Sequence, residues 1–376
     1  MRNEELGVLR STLAPSTAST FVLRVALNFP FNFLFNFPFN FPFNFPFNSQ
    51  YNNEHKQQTM KKLLLSVIVC AMALCHAQAQ QAKVYFTKEI TPESLVRIYE
   101  ALGTKEHGRV AVKISTGESG GNNYLKPTLI RNLVDKVNGT IVECCTAYGG
   151  SRQDKAKHWD TIHEHGFDSL FAVDIMDEFG DLRIPVQDRT WIKYDIVGEH
   201  LGNYDFCINL AHFKGHVMGG FGGVLKNQSI GFASTAGKAY IHSHGITTDS
   251  GECWKHTQPQ DAFLESMAAA AQAVANWFGK GNIVYINVLN NISIDCDCDA
   301  QPHAPEIQDI GIVASTDPIA CDRAAYDLIY QVTKDDKNNP DPLKRRIEKQ
   351  HGIHIVEWGE KIGMGTTDYK LVKLDK

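Results

Sequence analysis

The sequence predicts an α/β protein with a mixed or mostly parallel sheet, helices on both faces, and a small C-terminal closing unit. Two observations favour this fold class. Short apolar segments rich in β-branched residues alternate with longer segments in which apolar residues recur at helical spacing, and the connections between them are short. This alternation is typical of parallel sheets, because each parallel crossover needs a covering element such as a helix.

The predicted elements follow one another regularly. Apolar segments predict strands over residues 109–115, 140–145, 170–175, 205–210, 282–289 and 309–314. Helical spacing predicts helices over residues 127–137, 151–165, 260–278, 318–332 and 342–350. Asn138, Gly166 and Gly279 directly follow three of these helices as stop signals, and Thr316 or Asp317 before Pro318 starts another. We therefore expect an α/β domain over residues 80–335 and a C-terminal extension over residues 336–376 packed on it.

The first 79 residues have a different character. Within residues 1–59, Asn-Phe-Pro-Phe units repeat almost without change, carry no charge, and contain too much proline for a helix or a central strand. We interpret residues 1–59 as a low-complexity extension, disordered or not translated; the alternative is an aggregation-prone aromatic tail. Residues 60–79 combine two lysines, a short apolar run and an Ala-x-Ala pattern, which indicates a signal peptide and a periplasmic or secreted protein.

Composition excludes several classes of protein. Six of the 37 basic and three of the 42 acidic residues precede Gln80, which leaves a net charge of −8 on the remaining chain. No basic patch with interleaved aromatic residues occurs, so nucleic acid is not an expected partner. No segment after residue 80 is long and apolar enough to cross a membrane. The expected partner is a small-molecule or anionic ligand.

The strongest chemical signal is the sequence Asp295-Cys296-Asp297-Cys298-Asp299. On a straight strand the two thiols would be ~6.6 Å apart, too far to share one ion, so ligation needs a bend. Paired thiolates favour soft or borderline metals and iron–sulfur clusters. The alternatives are a vicinal disulfide and an acidic turn with incidental cysteines. Two cysteines are half of the usual ligand set, and the candidates for the rest are Cys253, Cys321, His303 and His212.

The second signal is a segment rich in histidine and glycine that directly follows a predicted strand. Its glycines would let backbone N–H groups face an anion, and two lysines add positive charge. It lacks the Gly-Lys-Ser/Thr of a phosphate-binding loop, and a tight structural turn is the alternative. The candidate catalytic residues are His212, Lys214 and His216, and the candidate cofactor-binding residues are Gly219, Gly220, Gly222, Gly223, Lys226 and Asn227.

These two segments, with the block over residues 309–318, resemble the core motifs of the domain-of-unknown-function 362 family. The likeness covers most of residues 110–330. The family is associated with iron–sulfur proteins, and its members often carry an added ferredoxin-like module. No C-x₂-C-x₂-C run occurs in this chain, so the resemblance implies a cluster or metal only around Cys296 and Cys298, and it implies no particular reaction.

Three functions are consistent with the sequence. The first is an exported enzyme that depends on an iron–sulfur cluster or on a zinc or iron ion and acts on a small anionic molecule. Cys296 and Cys298 would be ligands, and His212 and His216 would be further ligands or acid–base groups. The second is a non-catalytic protein that binds a metal or an anion. The third is thiol–disulfide exchange through Cys296 and Cys298, which needs no metal.

Overall fold

The computed structural model describes residues 81–375, and the predicted extension and signal peptide lie outside this part of the chain. The strands are β1 (Ala82–Thr87), β2 (Val110–Lys113), β3 (Thr140–Glu143), β4 (Val173–Ile175), β5 (Asp181–Pro185), β6 (Tyr194–Gly198), β7 (Phe206–His212), β8 (Lys214–His216), β9 (Gly220–Gly222), β10 (Ile283–Leu289), β11 (Gly311–Ser315) and β12 (Tyr369–Lys373). The helices are α1 (Pro92–Ala101), α2 (Pro127–Val137), α3 (Lys155–Glu164), α4 (Val224–Phe232), α5 (Thr235–His242), α6 (Gln260–Phe278), α7 (Pro318–Gln331), α8 (Asp341–Lys349) and α9 (His354–Lys361).

Eight of these strands form one central sheet, in the order β12-β1-β11-β10-β7-β2-β3-β4. Every neighbouring pair is parallel except those that involve β11, which runs antiparallel to both β1 and β10. The remaining strands form two small hairpins, β5–β6 and β8–β9. The predicted mixed, mostly parallel sheet is confirmed.

Helices cover both faces of the sheet because successive strand residues point to opposite sides. In β7, for example, Cys207 belongs to one apolar cluster and Ile208 to the other. One cluster contains residues of α1, α2 and α3, and the other contains residues of α4 to α9. Among residues 81–375, no helix combines the length and apolar character needed to cross a bilayer.

Local signals set several helix ends. Thr91 accepts a hydrogen bond from the Ser94 N–H at 3.1 Å, and Ser94 Oγ accepts one from the Thr91 N–H, which forms a capping box at α1. Asp317 caps α7 by accepting from the Ala320 N–H at 2.9 Å. Asn138 ends α2 in the left-handed conformation with φ 46°. Helices α2 and α6 begin and end at the predicted residues.

The sequence patterns did not predict β1, β12, the two hairpins or helices α1, α4, α5 and α9. Helix α4 replaces part of a predicted loop, and its residues Lys226 and Asn227 lie in the first helical turns. Because Val224, Leu225, Gln228, Ser229, Ile230 and Phe232 are all buried, α4 has no polar face that a periodic pattern could reveal. Strand β12, near the C-terminus, pairs with β1 at the edge of the sheet.

The order of the strands creates a crevice at one edge of the sheet. From β2 the chain continues to β3 and β4 on one side, whereas β7 and β10 lie on the other side of β2. The strand order therefore reverses between β2 and β7, and the carboxyl ends of these strands point to the same edge. Open α/β sheets bind their ligands at such a switch point.

A buried carboxylate joins α7 to the start of α4. Asp322 accepts hydrogen bonds from the N–H groups of Val224 at 2.8 Å and Leu225 at 3.0 Å. Asn287 on β10 donates to the same carboxylate at 2.8 Å. A Cβ atom on Gly223 would lie 2.2 Å from Asp322 Oδ1, so only glycine leaves room for this contact.

We expect Gly223→Ala to lower the free energy of unfolding by about 1–3 kcal/mol, because the added methyl group displaces the Asp322 carboxylate from buried N–H groups. Urea denaturation measures the change. Gly202→Ala is the matched control, since no atom lies within 4 Å of its added Cβ, and its effect should stay within about 0.5 kcal/mol. Equal effects of the two substitutions would contradict this account of Gly223.

Candidate functional site

A cavity of about 490 Å³ lies at the carboxyl ends of β2, β3, β7 and β10. Its walls come from the residues that follow these strands and from helices α4 and α5. Lys113, Arg152, Lys214, Lys226 and Lys238 all line it, together with His216, His242, Cys296 and Cys298. Five basic side chains therefore meet the thiols of Cys296 and Cys298 at the switch point of the sheet.

The two cysteines lie in a tight turn on the wall of this cavity. The Asp299 N–H donates to the carbonyl of Cys296 at 3.0 Å, which closes the turn. One donor atom from each of Cys296, Cys298 and His216 lies within 4.8 Å of the others. The bend that metal ligation requires is present, and the structure brings one predicted histidine to the thiols.

The environment of Cys298 favours its thiolate. A hydrogen bond from Cys296 holds the pKa of Cys298 well below its ordinary value, and the charges of Lys226 and Arg152 and a hydrogen bond from His216 act in the same direction against burial. The pKa of Cys296 is raised by the same hydrogen bond and by burial. The pair therefore shares one proton, with the negative charge on Cys298.

His216 is neutral and its proton position follows from its contacts. Burial, and then the charge of Lys226, lowers its pKa to about 4. The N–H groups of Met218 and Gly219 donate to Nδ1 at 3.2 and 2.9 Å, so Nδ1 acts as an acceptor. The single proton of the neutral ring is then on Nε2.

Asp297 connects the cysteine turn to three other parts of the site. Its carboxylate contacts His212 Nδ1 at 2.8 Å and Lys214 Nζ at 2.8 Å. Its backbone carbonyl accepts from the Glu118 N–H at 2.9 Å and from Arg152 at 3.5 Å. The pKa of Asp297 is lowered by Lys214 and then by His212, against its burial.

His212 is a positioning residue in this arrangement. Its Nδ1 faces the Asp297 carboxylate and its Nε2 faces the carbonyl of Asn290 at 2.7 Å, so both nitrogens are occupied. It does not line the cavity. The predicted catalytic or ligand role of His212 is therefore corrected, because neither nitrogen is free to contact a substrate or an ion.

Arg152 is buried between two glutamates. Its guanidinium lies 3.0 Å from Glu118 and 2.6 Å from Glu143, and it donates to the hydroxyl of Tyr148 at 2.9 Å. Thr116 donates to Glu143 through both its N–H and its hydroxyl. These contacts neutralise Arg152 and hold together the loops that follow β2 and β3.

Three other lysines on the cavity lack an acidic partner. Within the described residues, no carboxylate lies within 4.0 Å of the ammonium group of Lys113, Lys226 or Lys238. Lys113 is buried, donates to the Ile114 carbonyl, and lies 3.3 Å from the Asn227 amide oxygen. Burial, with the nearby charges of Lys238 and Arg152, lowers its pKa to about 8. These lysines can neutralise an anionic ligand.

The glycine-rich segment does not form an anion-binding loop. Residues 214–216 and 220–222 pair as the β8–β9 hairpin, and the Gly219 N–H donates to His216. The N–H groups at the start of α4 bind Asp322 instead of a ligand. This corrects the prediction that Gly219, Gly220, Gly222 and Gly223 offer backbone groups to an anion. Gly222 and Gly223 line the cavity beside Lys226 and Asn227, whereas Gly220 packs against Gly352.

Two of the four predicted cysteine ligands lie elsewhere. Cys321 is buried under β10 with its thiol 3.6 Å from the carbonyl of Tyr285. Cys253 is buried in a short 3₁₀ helix and contacts the carbonyl of Ser250. Burial raises the pKa of both thiols. They are corrected to buried core residues, because their thiols face backbone carbonyls and lie outside the cavity.

Several basic residues of the cavity were not predicted from the sequence. Lys113 could have been identified, because a lysine is unusual near the end of an otherwise apolar strand and therefore indicates a functional position. Arg152 could also have been identified, because it is a charged residue in a glycine-containing loop that follows strand β3. Lys238 lies on α5, a helix that was not predicted, and no sequence pattern indicated it.

We expect Arg152→Ala to destabilise the protein by about 3–5 kcal/mol, because it removes the guanidinium that neutralises the buried carboxylates of Glu118 and Glu143. Urea denaturation provides the measurement. Arg131→Ala is the matched control, because Arg131 forms an exposed helical pair with Asp135 and should contribute below about 0.5 kcal/mol. A loss for Arg152→Ala as small as that of the control would refute a structural role for this ion pair.

Known proteins give limited further information. No curated protein matches the sequence. The lactate racemase apoprotein of Thermoanaerobacterium thermosaccharolyticum is 11% identical with a TM-score of 0.39, over 66% of this chain and 58% of that chain. A protein from Thermotoga maritima is 12% identical with a TM-score of 0.36, over 72% of this chain and 58% of that chain. The chain thus spans less than two thirds of each, and similarities this low do not bear on function.

The family comparison is stronger. Residues 110–327, more than half of the chain, match the family described as a domain of unknown function, DUF362. The matched region includes the cysteine turn, the histidine- and glycine-rich segment and the strands that position them. The chain is therefore a member of the DUF362 family.

Proposed function

We propose that this protein is an exported, metal-dependent enzyme that acts on a small anionic molecule. Cys296, Cys298 and His216 would hold one zinc or iron ion at the cavity wall. The observation that carries the proposal is the meeting of three soft or borderline donor groups with three unpaired ammonium groups in one cavity. An ion beside an anion-binding wall is an arrangement suited to catalysis rather than to storage.

The number and type of donors support an open metal site. Two cysteines and one histidine leave one position of a tetrahedral ion for water or substrate, as in catalytic zinc sites. Bound there, the ion would polarise an oxygen of the substrate or lower the pKa of a bound water. The depressed pKa of Cys298 supplies the thiolate form that a metal needs at neutral pH.

The unpaired lysines support an anionic substrate. Lys113, Lys226 and Lys238 come from β2, α4 and α5, so they surround the cavity rather than form one patch. Arg152 and Lys214 are already neutralised by carboxylates and would shape the cavity. Lys113, with a pKa of about 8, is also the basic group best able to exchange a proton near neutral pH.

A second candidate function is thiol–disulfide exchange by Cys296 and Cys298. The observation that favours it is that His216 Nδ1 accepts two backbone hydrogen bonds. A histidine that binds a metal usually donates a hydrogen bond from its other nitrogen instead. A thiolate near a neutral imidazole and several ammonium groups is typical of reactive cysteines. Metal content distinguishes the two candidates.

We expect the protein purified without oxygen to contain iron or zinc, and Cys296→Ser/Cys298→Ser to contain about one equivalent of metal less than the wild type. The reason is that the variant loses two of the three proposed ligands. Elemental analysis with a UV–visible spectrum is the measurement, and the spectrum also distinguishes a single ion from an iron–sulfur cluster.

Cys253→Ser is the matched control, because it replaces a buried cysteine outside the cavity and should retain the metal. A metal-free wild-type protein with two titratable thiols would exclude the metal-dependent enzyme and favour thiol–disulfide exchange. A metal content equal to that of the wild type in the double variant would show that Cys296 and Cys298 do not hold an ion.

A second prediction concerns the pH dependence of anion binding. The Lys113 ammonium is charged below its pKa of about 8 and neutral above it. We expect the affinity for oxalate, which is fully ionised in this range, to fall on the order of tenfold as the pH rises through 8, since one charge-assisted hydrogen bond is lost. Isothermal titration calorimetry at a series of pH values measures this.

In Lys113→Met the affinity should be low at every pH and the step near pH 8 should disappear. Lys255→Met is the control, because Lys255 is exposed and paired with Glu252, and it should retain the step. A step of the same size in Lys113→Met would assign the titration to another group.

A further inference from the structure

A second group of potential metal ligands lies outside the cavity. Asp261 is on the first turn of α6, His351 is on the turn between α8 and α9, and His354 is the first residue of α9. One donor atom from each of the three residues lies within 4.8 Å of the others. None of the three lines the cavity.

A buried carboxylate orients one of these histidines. His354 Nε2 is 2.9 Å from Glu265 Oε1, and the other oxygen of Glu265 accepts from the Trp191 indole N–H at 2.6 Å. The Glu265 residue is only 9% exposed. Because Nε2 is committed to Glu265, the nitrogen that His354 can offer to an ion is Nδ1. A carboxylate behind a ligating histidine is the usual second sphere of a protein metal site.

We propose that Asp261, His351 and His354 bind a second divalent metal ion, of the class that favours imidazole and carboxylate together, such as Zn²⁺. Donors around a tetrahedral zinc ion lie about 3.4 Å apart, given bonds of about 2.0–2.2 Å. His351 Nδ1 lies 2.7 Å from Asp261 Oδ1, and both side chains are about half exposed, so they are free to adjust to this spacing when an ion binds. Glu357, at 3.8 Å from His354 Nδ1, is the nearest carboxylate for the fourth position.

The ion would fasten the C-terminal segment to the body of the domain. Gln350 Nε2 donates to the carbonyl of Val217 at 2.6 Å, and Gly352 packs against Gly220. Residues 217–220, which these contacts restrain, include the Met218 and Gly219 N–H groups that donate to His216. A second ion therefore restrains the segment that orients a residue of the cavity, although it has no contact with the cavity itself.

The test is zinc binding in the Cys296→Ser/Cys298→Ser background, where the proposed first site is removed. Isothermal titration calorimetry with Zn²⁺ should find one remaining site per chain. Adding His354→Ala should weaken it more than about 100-fold, and adding Glu265→Gln should weaken it about 10- to 100-fold, as for other second-sphere carboxylates. Saturating Zn²⁺ should raise the thermal midpoint by about 5 °C in the background variant and not in the His354→Ala variant.

His163→Ala is the matched control, since His163 is an exposed histidine beside a carboxylate, Asp168, at 3.2 Å, and zinc binding should be unchanged. Absorption of bound Co²⁺ gives a second readout: imidazole and carboxylate ligands give weak visible bands without the intense thiolate band. No zinc binding in a folded background variant overturns the proposal, and so does binding that survives His354→Ala. These measurements do not depend on whether the cavity binds a metal or catalyses a reaction.

Discussion

The Asp297 carboxylate and carbonyl together make the interaction on which the rest of the site depends. This one residue binds His212 at the end of β7, Lys214 on β8, the Glu118 N–H after β2 and Arg152 after β3. It also stands between Cys296 and Cys298, so the position of the thiols follows from its contacts. Burying a carboxylate without such partners is energetically unfavourable. Because its partners come from segments that follow different strands, these contacts hold the ends of those strands together.

The distribution of charge separates structural from functional basic residues. Arg152 and Lys214 have carboxylate partners at 3.0 Å or less, so their charges are neutralised within the protein. Lys113, Lys226 and Lys238 have only carbonyl or amide contacts, or none, and face the cavity. A negatively charged ligand would provide the anionic partner that these three lysines lack within the described part of the protein. The same logic explains why the start of α4 binds no ligand: Asp322 already occupies it.

Much of the fold was predictable because apolar periodicity reports burial directly. Helices α2 and α6 and the central strands β7 and β10 have long, unambiguous patterns. Helices α4 and α5 did not, since burial on nearly all sides removes the polar face that marks a helix. The error over the glycine-rich segment has the same origin: its glycines allow the approach of Asp322 and Gly352, and not of an anion.

The fold class, the family motifs and a thiol pair flanked by acidic residues could be predicted from the sequence, because these features depend on residues close together in the chain. Which residues join that pair depends on contacts between distant parts of the chain. Lys113, Arg152, His216 and Cys298 are separated by up to 185 positions, and they meet because parallel strands end at one edge of a sheet. Contacts between distant segments also decided that His212 positions Asp297 and that Cys253 and Cys321 belong to the core, since local sequence does not report what a side chain will face.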